Sequence, residues 1–197
     1  MQGLILRLSK QGDHNKILTI LTPNGLVSAI GFGARRAKSP LMAVAQPFCY
    51  ADFQLKKSRG DLLAIGSADI LETFFDLRLS IEKLALASDL CKLVAKTTME
   101  NTDCEDSLKL LLNTLYIIQR KETLPLIQTF FKIRYMSIIG YNPIFAPSLM
   151  PRADATIAAL AHITECPLSR LYNAKVSPAI LAELAQVANQ LELEVAS

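Results

Sequence analysis

The chain has 197 residues, of which 51% are hydrophobic, enough to bury the core of one large domain or two small ones. Its formal charge is only +3, yet residues 1–60 hold nine Lys or Arg against two acids. This first part carries +7 and the rest carries −4, an asymmetry typical of a protein that binds a polyanion. No apolar run is long enough to span a membrane, and Arg7 and Lys10 follow the first apolar stretch, so no secretory signal peptide is expected.

The four cysteines are far apart in the sequence. They show neither the paired spacing of a zinc site nor the pattern of a small disulfide framework. We therefore expect free thiols in a reducing compartment, and a cytoplasmic protein. The four are Cys49, Cys91, Cys104 and Cys166.

Residues 1–75 predict strands, because short runs rich in Val, Ile, Leu, Phe and Tyr alternate with turn residues. Pro23-Asn24-Gly25 has strong hairpin chemistry, and residues 57–61 predict a second tight turn. Residues 32–45, rich in Arg, Lys and Ala, are expected to form a loop. The five predicted strands are Gln2–Leu8, Lys16–Thr22, Leu26–Gly31, Phe48–Lys56 and Leu62–Phe74.

Five short antiparallel strands in about 75 residues match the size of an OB-type barrel. An SH3-like barrel or an open meander would also fit this pattern. After Phe75 the apolar period becomes helical over residues 81–94, 108–118 and 127–138. The sequence therefore predicts an α+β protein: an N-terminal five-stranded OB-type barrel in residues 1–75, then an all-helical domain in residues 76–197.

The last third predicts two more helices, Ala153–Thr164 and Ser177–Val195. Ser177 is the expected N-cap of the second, with Pro178 in its first turn. The segment Tyr141–Pro151 holds three prolines and is predicted to be irregular.

Catalytic motifs are missing from the sequence. Residues 31–39 end in Lys-Ser, but a phosphate-binding loop needs glycines where Ala37 and Phe32 stand. His14 is expected in a surface turn, and His162 in a helix as a half-buried, hydrogen-bonded side chain. We expect a protein that is not an enzyme and that needs no metal or cofactor.

The basic residues of the first part are the candidate site. Sequence-independent binding of a nucleic acid needs Lys and Arg along the phosphates and exposed rings on which bases stack. Charge runs in turns are usually solvated surface, but a merely soluble surface generally mixes both signs, and acids are nearly absent from the first sixty residues. Phe48, Tyr50 and Phe53 are expected in the core and barrel surface. The candidate DNA-binding residues are Arg35, Arg36 and Lys38 in one cluster, Lys56, Lys57 and Arg59 in another, Lys10 and Lys16 beside the first turn, and Phe32 for stacking.

Several of these segments resemble the RecO family of bacterial recombination mediators. Residues 3–7 and 12–25 are similar to its first two strands, and residues 33–39, Gly-Ala-Arg-Arg-Ala-Lys-Ser, are similar to its basic loop. Gln46-Pro47-Phe48, Leu71-Glu72 and Leu77-Arg78 are also similar, as is the stretch from Phe131 to Pro143. The likeness covers about residues 1–143.

The resemblance implies an OB fold with a helical domain, binding of single- and double-stranded DNA, and annealing of complementary strands. It also implies loading of recombinase onto strands coated with single-stranded-DNA-binding protein, with RecR as partner. The family's DNA-binding loop falls on Arg35, Arg36 and Lys38. Many members carry a four-cysteine zinc module after the position of Pro143, where this chain has only Cys166, so no zinc site of that kind is expected in a monomer.

Two rival functions fit parts of the sequence. The first is a protein-interaction module whose helical half docks a partner without direct DNA binding. It would show an exposed apolar groove among the C-terminal helices. The second is an enzyme that acts on nucleotides, against which the failed phosphate-loop spacing argues.

Overall fold

The computed structural model describes residues 1–58, 62–143 and 154–196. The chain forms two compact units, Met1–Leu112 and Asn113–Ser197. None of the described helices is long and apolar enough to cross a membrane.

The described part of the first unit holds five strands that close into a barrel in the order β1-β2-β3-β5-β4. Neighbouring strands are antiparallel except β3 and β5, which run parallel at Ala29 and Leu63. Closure and this pairing rule out an open meander and confirm the OB-type barrel. The strands are β1 Gln2–Gln11, β2 Asn15–Thr22, β3 Gly25–Gly31, β4 Tyr50–Lys57 and β5 Leu63–Glu72.

The barrel core follows from the alternation of side chains along each strand. Successive residues point to opposite faces, so every second apolar residue enters the interior. Ile5, Leu18, Phe53 and Ile65 are buried together there. Ala34 from the loop after β3 is fully buried in the same cluster, which fixes that loop against the end of the barrel.

One helical turn, α1 Leu41–Val44, lies inside the segment predicted to be all loop. Leu41 and Val44 are buried in the barrel cluster, so burial of apolar residues stabilises a helix too short for sequence periodicity to show. A 3-10 turn, Phe75–Leu79, follows β5.

The predicted helices are present. Ser80 caps α2 by accepting the Lys83 N–H at 3.3 Å, and Ser177 caps α7 by accepting the Ile180 N–H at 3.3 Å. The four-residue helical turn Leu168–Leu171, α6, was not predicted. The helices after the barrel are α2 Ile81–Thr97, α3 Glu105–Arg120, α4 Leu124–Ile138, α5 Asp154–Glu165, α6 Leu168–Leu171 and α7 Pro178–Ala196.

The β2–β3 turn contacts the connection between α2 and α3. The Leu26 N–H donates to Met99 O at 3.3 Å, and the Cys104 N–H donates to Pro23 O at 2.7 Å. These bonds place α2 and the start of α3 in one compact unit with the barrel. The change from strands to helices falls near residue 75 as expected, but the compact units divide between Leu112 and Asn113, so a domain boundary at residue 75 stays a prediction.

The predicted irregular segment at residues 141–151 lies outside the described residues, apart from its first three positions.

Candidate nucleic-acid interface

The basic loop, residues 32–39, joins β3 to α1. Gly33 adopts φ +67°, a left-handed conformation that suits glycine, and the Arg36 N–H donates to Gly33 O at 2.9 Å. Because Ala34 is buried beneath this tight turn, the side chains around it point outward. Phe32, Arg35, Arg36 and Lys38 are all exposed.

Hydrogen bonds fix the basic loop to the turn between β1 and β2. The Arg35 N–H donates to His14 O at 3.0 Å, and the Gly33 N–H donates to Asn15 Oδ1 at 2.9 Å. The Arg35 guanidinium also donates to Gly12 O at 3.1 Å. Two segments that lie about twenty residues apart in the sequence therefore form one structure.

Lys10 and Lys16 lie directly below this turn, where they face each other across the β1–β2 ladder. Like charges directly opposite each other repel, so this pair gains from a bound anion. The docked turn brings these two lysines and Arg35 to one end of the barrel.

Lys16 also has a structural contact. It is half-buried, and its ammonium donates to Ala45 O at 2.7 Å. Burial, and then the charge of Arg35, lower the pKa of Lys16 below its usual value.

The second cluster lies at the end of β4. Lys56 and Lys57 are exposed and pair with Ala64 and Leu63 of β5. The Lys56 stem crosses Gly66, where an added Cβ would lie 2.7 Å from Lys56 Cε. Arg59 lies outside the described residues. Within the residues that the structure describes, no hydrogen bond or ion pair joins this cluster to the basic loop, so a shared path stays a prediction.

The candidate cations form no ion pairs with carboxylates among the described residues. Among the described residues, the ion pairs join Met1 to Asp52, Lys92 to Asp89, Lys109 to Glu105 and Lys132 to Glu192, and none involves a candidate DNA-binding residue. Asp52, one of the two acids in the first sixty residues, is held by the N-terminal ammonium. Among the described residues, therefore, no ion pair neutralises a cation of the basic loop.

The aromatic side chains divide, as expected, into one that is exposed beside the basic loop and three that are buried or half-buried in the barrel. Phe32 is 55% exposed beside the basic loop and can stack on a base. Phe48 and Phe53 are buried, and Tyr50 is half-buried, with its hydroxyl donating to Gln2 Oε1 at 2.8 Å.

The imidazoles and thiols do not form a reactive centre in the described part of the chain. His14 is exposed as expected, whereas His162, expected to be half-buried, is exposed as well. The four cysteines are free and buried, and burial raises the pKa of Cys49 to about 11 and that of Cys91 to about 12. Thiols with such pKa values stay protonated and unreactive at neutral pH.

Asn15 and Ala34 are positioning residues that the sequence reasoning missed. The Asn15 side chain accepts a hydrogen bond from the loop backbone, and the buried Ala34 fixes the loop against the core. An Asn that closes a turn is a recognisable signal for Asn15, but a lone Ala in a basic run gives none.

Comparison with known proteins places the chain in a family. Residues 1–74 match the family model described as Recombination protein O N terminal, and residues 78–149 match Recombination protein O C terminal. A protein named DNA repair protein RecO from Acetivibrio thermocellus is 28% identical over 95% of this chain and 88% of its own length.

Two further relatives carry the same name. The one from Alkaliphilus metalliredigens is 35% identical over 72% of this chain, and the one from Caldicellulosiruptor saccharolyticus is 32% identical over 73%. These two alignments span 58% and 59% of the relatives' lengths. With a closed OB-type barrel, a helical C-terminal region and both family models matched in order, this chain belongs to the RecO family.

Proposed function

We propose that this chain is a non-catalytic DNA repair and recombination factor of the cytoplasm. It binds single- and double-stranded DNA without sequence preference, anneals complementary strands and helps load recombinase onto single-stranded DNA. The observation that carries the proposal is the basic loop, bonded to the first turn and without a carboxylate partner among the described residues. Membership of the RecO family supports its place in repair and recombination.

The cations act on the backbone of the nucleic acid. Arg36 and Lys38 are exposed and reach phosphates, while Arg35 also bonds Gly12 O and so holds the loop in place. Each neutralised phosphate releases counterions, which makes binding depend strongly on salt and little on base order. Two strands held with their charge screened in this way can approach each other and pair.

Phe32 adds a contact that only unpaired bases can use. A duplex keeps its base faces stacked on one another, whereas a single strand offers them to an exposed ring. We infer that the basic loop binds both forms through phosphates and that Phe32 adds affinity for single strands.

The test is a salt titration of oligonucleotide binding with the variant Arg35→Ala/Arg36→Ala/Lys38→Ala. Losing three phosphate contacts should flatten the log–log salt slope by about 2 for single strands and about 3 for duplex. Fluorescence anisotropy with a labelled oligonucleotide measures both slopes. Phe32→Ala should weaken single-strand binding and leave duplex binding unchanged.

Two controls sharpen this test. Arg36→Ala/Lys38→Ala keeps the bond from Arg35 to Gly12 O, so it separates lost charge from a displaced loop. Lys109→Ala removes an exposed cation of the same unit that already pairs with Glu105 at 2.7 Å. An unchanged slope in the triple variant would reject the basic loop as the DNA site, and a slope altered equally by Lys109→Ala would show a general charge effect.

A second candidate function is docking of a protein partner by the helical unit. A pocket of about 360 Å³ lies among α4, α5 and α7, lined by apolar Phe130, Ile163 and Ile180 with Lys175 at its side. Apolar pockets of this kind hold side chains of partner segments. We propose a RecR-type protein and single-stranded-DNA-binding protein as partners. Partner binding with no oligonucleotide binding by the wild type would favour this function alone.

A further inference from the structure

The last part of strand β5 has an unpaired edge within the described residues. Barrel closure uses only the first two residues of this strand, since Leu63 and Ala64 pair with β3. From Ala68 to Glu72, the strand pairs with β4 alone, and no backbone hydrogen bond outside that ladder involves these positions. In an antiparallel pair, every second residue directs its N–H and C=O away from the partner strand. The far side of β5 therefore offers backbone donors and acceptors to another chain.

Apolar side chains are exposed along this edge. Ile70 is 41% exposed, although it pairs with Ala51, which is buried in the barrel cluster. Leu71 is 49% exposed and has no residue opposite it, because the register of β4 and β5 shifts there. Phe75, in the 3-10 turn that follows, is exposed as well. A strip of exposed apolar side chains of this kind is typical of an interaction site.

Arg78 fixes the 3-10 turn against the end of the strand. Its guanidinium donates to Thr73 O at 3.2 Å and lies 5.9 Å from the centroid of the Phe75 ring. Phe75 therefore stays beside the end of β5. The unpaired edge and the turn together, residues 68–76, are called the β5 edge surface below.

The β5 edge surface is acidic. It contains no Lys or Arg, whereas Asp69, Glu72 and Asp76 are exposed. In the part of the chain that the structure describes, none of these three acids forms an ion pair. Asp69 lies directly opposite Asp52 of β4, and like charges in that arrangement repel. Asp52 is paired with the N-terminal ammonium, so Asp69 is the member of this pair that gains from a cation brought by a ligand.

The charges decide among the possible occupants of the surface. A nucleic acid or an acidic peptide is repelled by the carboxylates. A second copy of the same edge would bring the same acids and is therefore disfavoured. A segment with Lys or Arg between apolar residues complements both the acids and the exposed Ile70 and Leu71, and its backbone can pair with the open side of β5.

We propose that the β5 edge surface is a docking site for a protein partner that adds an extended segment of alternating apolar and basic residues to β5. The backbone of the segment bonds the open edge as an added strand. Its apolar side chains cover Ile70, Leu71 and Phe75. Its cations pair with Asp69 and Asp76. The surface shares no residue with the basic loop or with the pocket of the helical unit, so the inference does not depend on the function proposed for either.

The test titrates the full chain, labelled with ¹⁵N, with a peptide of about eight residues in which Lys and Val alternate. NMR spectra detect weak binding and locate it, and the amide signals of residues 68–73 should shift. Asp69→Asn/Asp76→Asn should raise the dissociation constant about fivefold, because two exposed charge pairs are lost. Glu72 is left unchanged, since its carboxylate accepts the Thr73 and Phe74 N–H groups.

The matched control removes the same charge elsewhere in the same unit. Asp89 and Asp106 are exposed on α2 and α3, so Asp89→Asn/Asp106→Asn should leave peptide affinity within about twofold of wild type. Leu71→Ser/Phe75→Ser tests the apolar contact without changing charge and should also weaken binding. Circular dichroism and a thermal melt establish that each variant is folded.

A second peptide tests strand addition itself. It has Pro in place of each Val, so it keeps the positive charge and loses the backbone donors that an added strand needs. The inference predicts that this peptide does not shift the signals of residues 68–73. A third peptide, with Glu in place of Lys, should not bind either.

Each contrary outcome overturns the inference. Unshifted signals at residues 68–73 with the Lys-Val peptide show that the edge does not accept such a segment. Equal shifts with the Pro peptide, or an equal loss of affinity in the control variant, show attraction by charge alone. Sedimentation that reveals self-association of the wild type, lost in Leu71→Ser/Phe75→Ser, assigns the surface to a second copy. None of these outcomes bears on oligonucleotide binding by the basic loop.

Discussion

The cations of the two compact units have different roles. In the helical unit, several of them hold the fold together: the Lys121 ammonium donates to Tyr172 O at 2.7 Å, and Lys132 pairs with Glu192 at 2.6 Å. The Arg134 guanidinium donates to Ile163 O at 3.2 Å. The barrel unit also has such cations, since Arg78 donates to Pro47 O at 2.9 Å, but its Arg36 and Lys38 are exposed and have no ion pair among the described residues.

This difference shows that a count of Lys and Arg does not locate a binding site. A cation with an internal carbonyl or carboxylate partner contributes to stability, whereas a cation without one stays available to a ligand. The barrel holds its basic loop through backbone bonds and a buried alanine, so its side chains are left for binding. Lys16 and Arg35 have both roles, because each bonds a backbone carbonyl within the charged region.

The largest expected effect is on the backbone of the barrel unit. Gly25 has φ +102°, and a Cβ added there would lie 2.6 Å from Met99 O. Gly25→Ala therefore combines backbone strain with a clash and should lower the free energy of unfolding by about 3–5 kcal/mol. Chemical denaturation followed by circular dichroism measures this loss.

Gly12 provides the matched control for that prediction. It also has positive φ, +59°, but nothing lies within 4 Å of an added Cβ. Gly12→Ala should lower the free energy of unfolding only by the cost of placing a side chain in a left-handed backbone conformation, about 1–2 kcal/mol. Equal losses at the two glycines would mean that contact between the β2–β3 turn and the α2–α3 connection does not stabilise the unit.

A medium effect is expected where a cation is part of the helical fold. Lys132 is largely buried beside Glu192 and also donates to Asn189 Oδ1 at 3.3 Å. Lys132→Met should lower the free energy of unfolding by about 1–2 kcal/mol, because it leaves the carboxylate without its partner. DNA binding should stay at the wild-type level, in contrast to the variants of the basic loop.

Lys109→Met is the exposed counterpart, since it breaks an ion pair between two solvated side chains on one helix face. No measurable change in the denaturation midpoint is expected. The contrast between the two units is contradicted if Lys132→Met also leaves the denaturation midpoint unchanged. It is also contradicted if Lys132→Met weakens oligonucleotide binding as strongly as the loop variant does.

The smallest effect concerns Lys16, whose folded pKa lies below its usual value because of burial and Arg35. The folded protein then releases this proton at lower pH than the unfolded chain does. Lys16 therefore contributes a gain in stability as pH rises through its lowered pKa toward the ordinary value near 10.5. Subtracting the pH–stability curve of Lys16→Met from that of wild type should isolate this rise, and a flat or falling difference would contradict it.

Much of the architecture could be predicted from local patterns. Apolar alternation cut by Pro23 to Gly25 predicted the hairpin, and Ser177 with Pro178 predicted the start of the last helix. The turns α1 and α6 have four residues each and could not be predicted, because a single turn shows no period. His162 was placed wrongly because apolar neighbours in sequence do not fix which face of a helix is covered.

The candidate site could be predicted only in part. Arg35, Arg36 and Lys38 stand out as a basic run, and the exposure of Phe32 agrees with its predicted role. The half-buried position of Lys16 and its bond to Ala45 O have no local signal, because the partner is twenty-nine residues away.

The sequence by itself determined the strand and helix content, the excess of positive charge in the first sixty residues and the resemblance to RecO proteins. These are local properties, set by side-chain periodicity, turn residues and composition. The tertiary structure decided which cations are free and which are used internally, and it brought the basic loop onto the first turn. Such contacts join residues far apart in the chain, so they depend on barrel closure and helix packing, which no local pattern specifies.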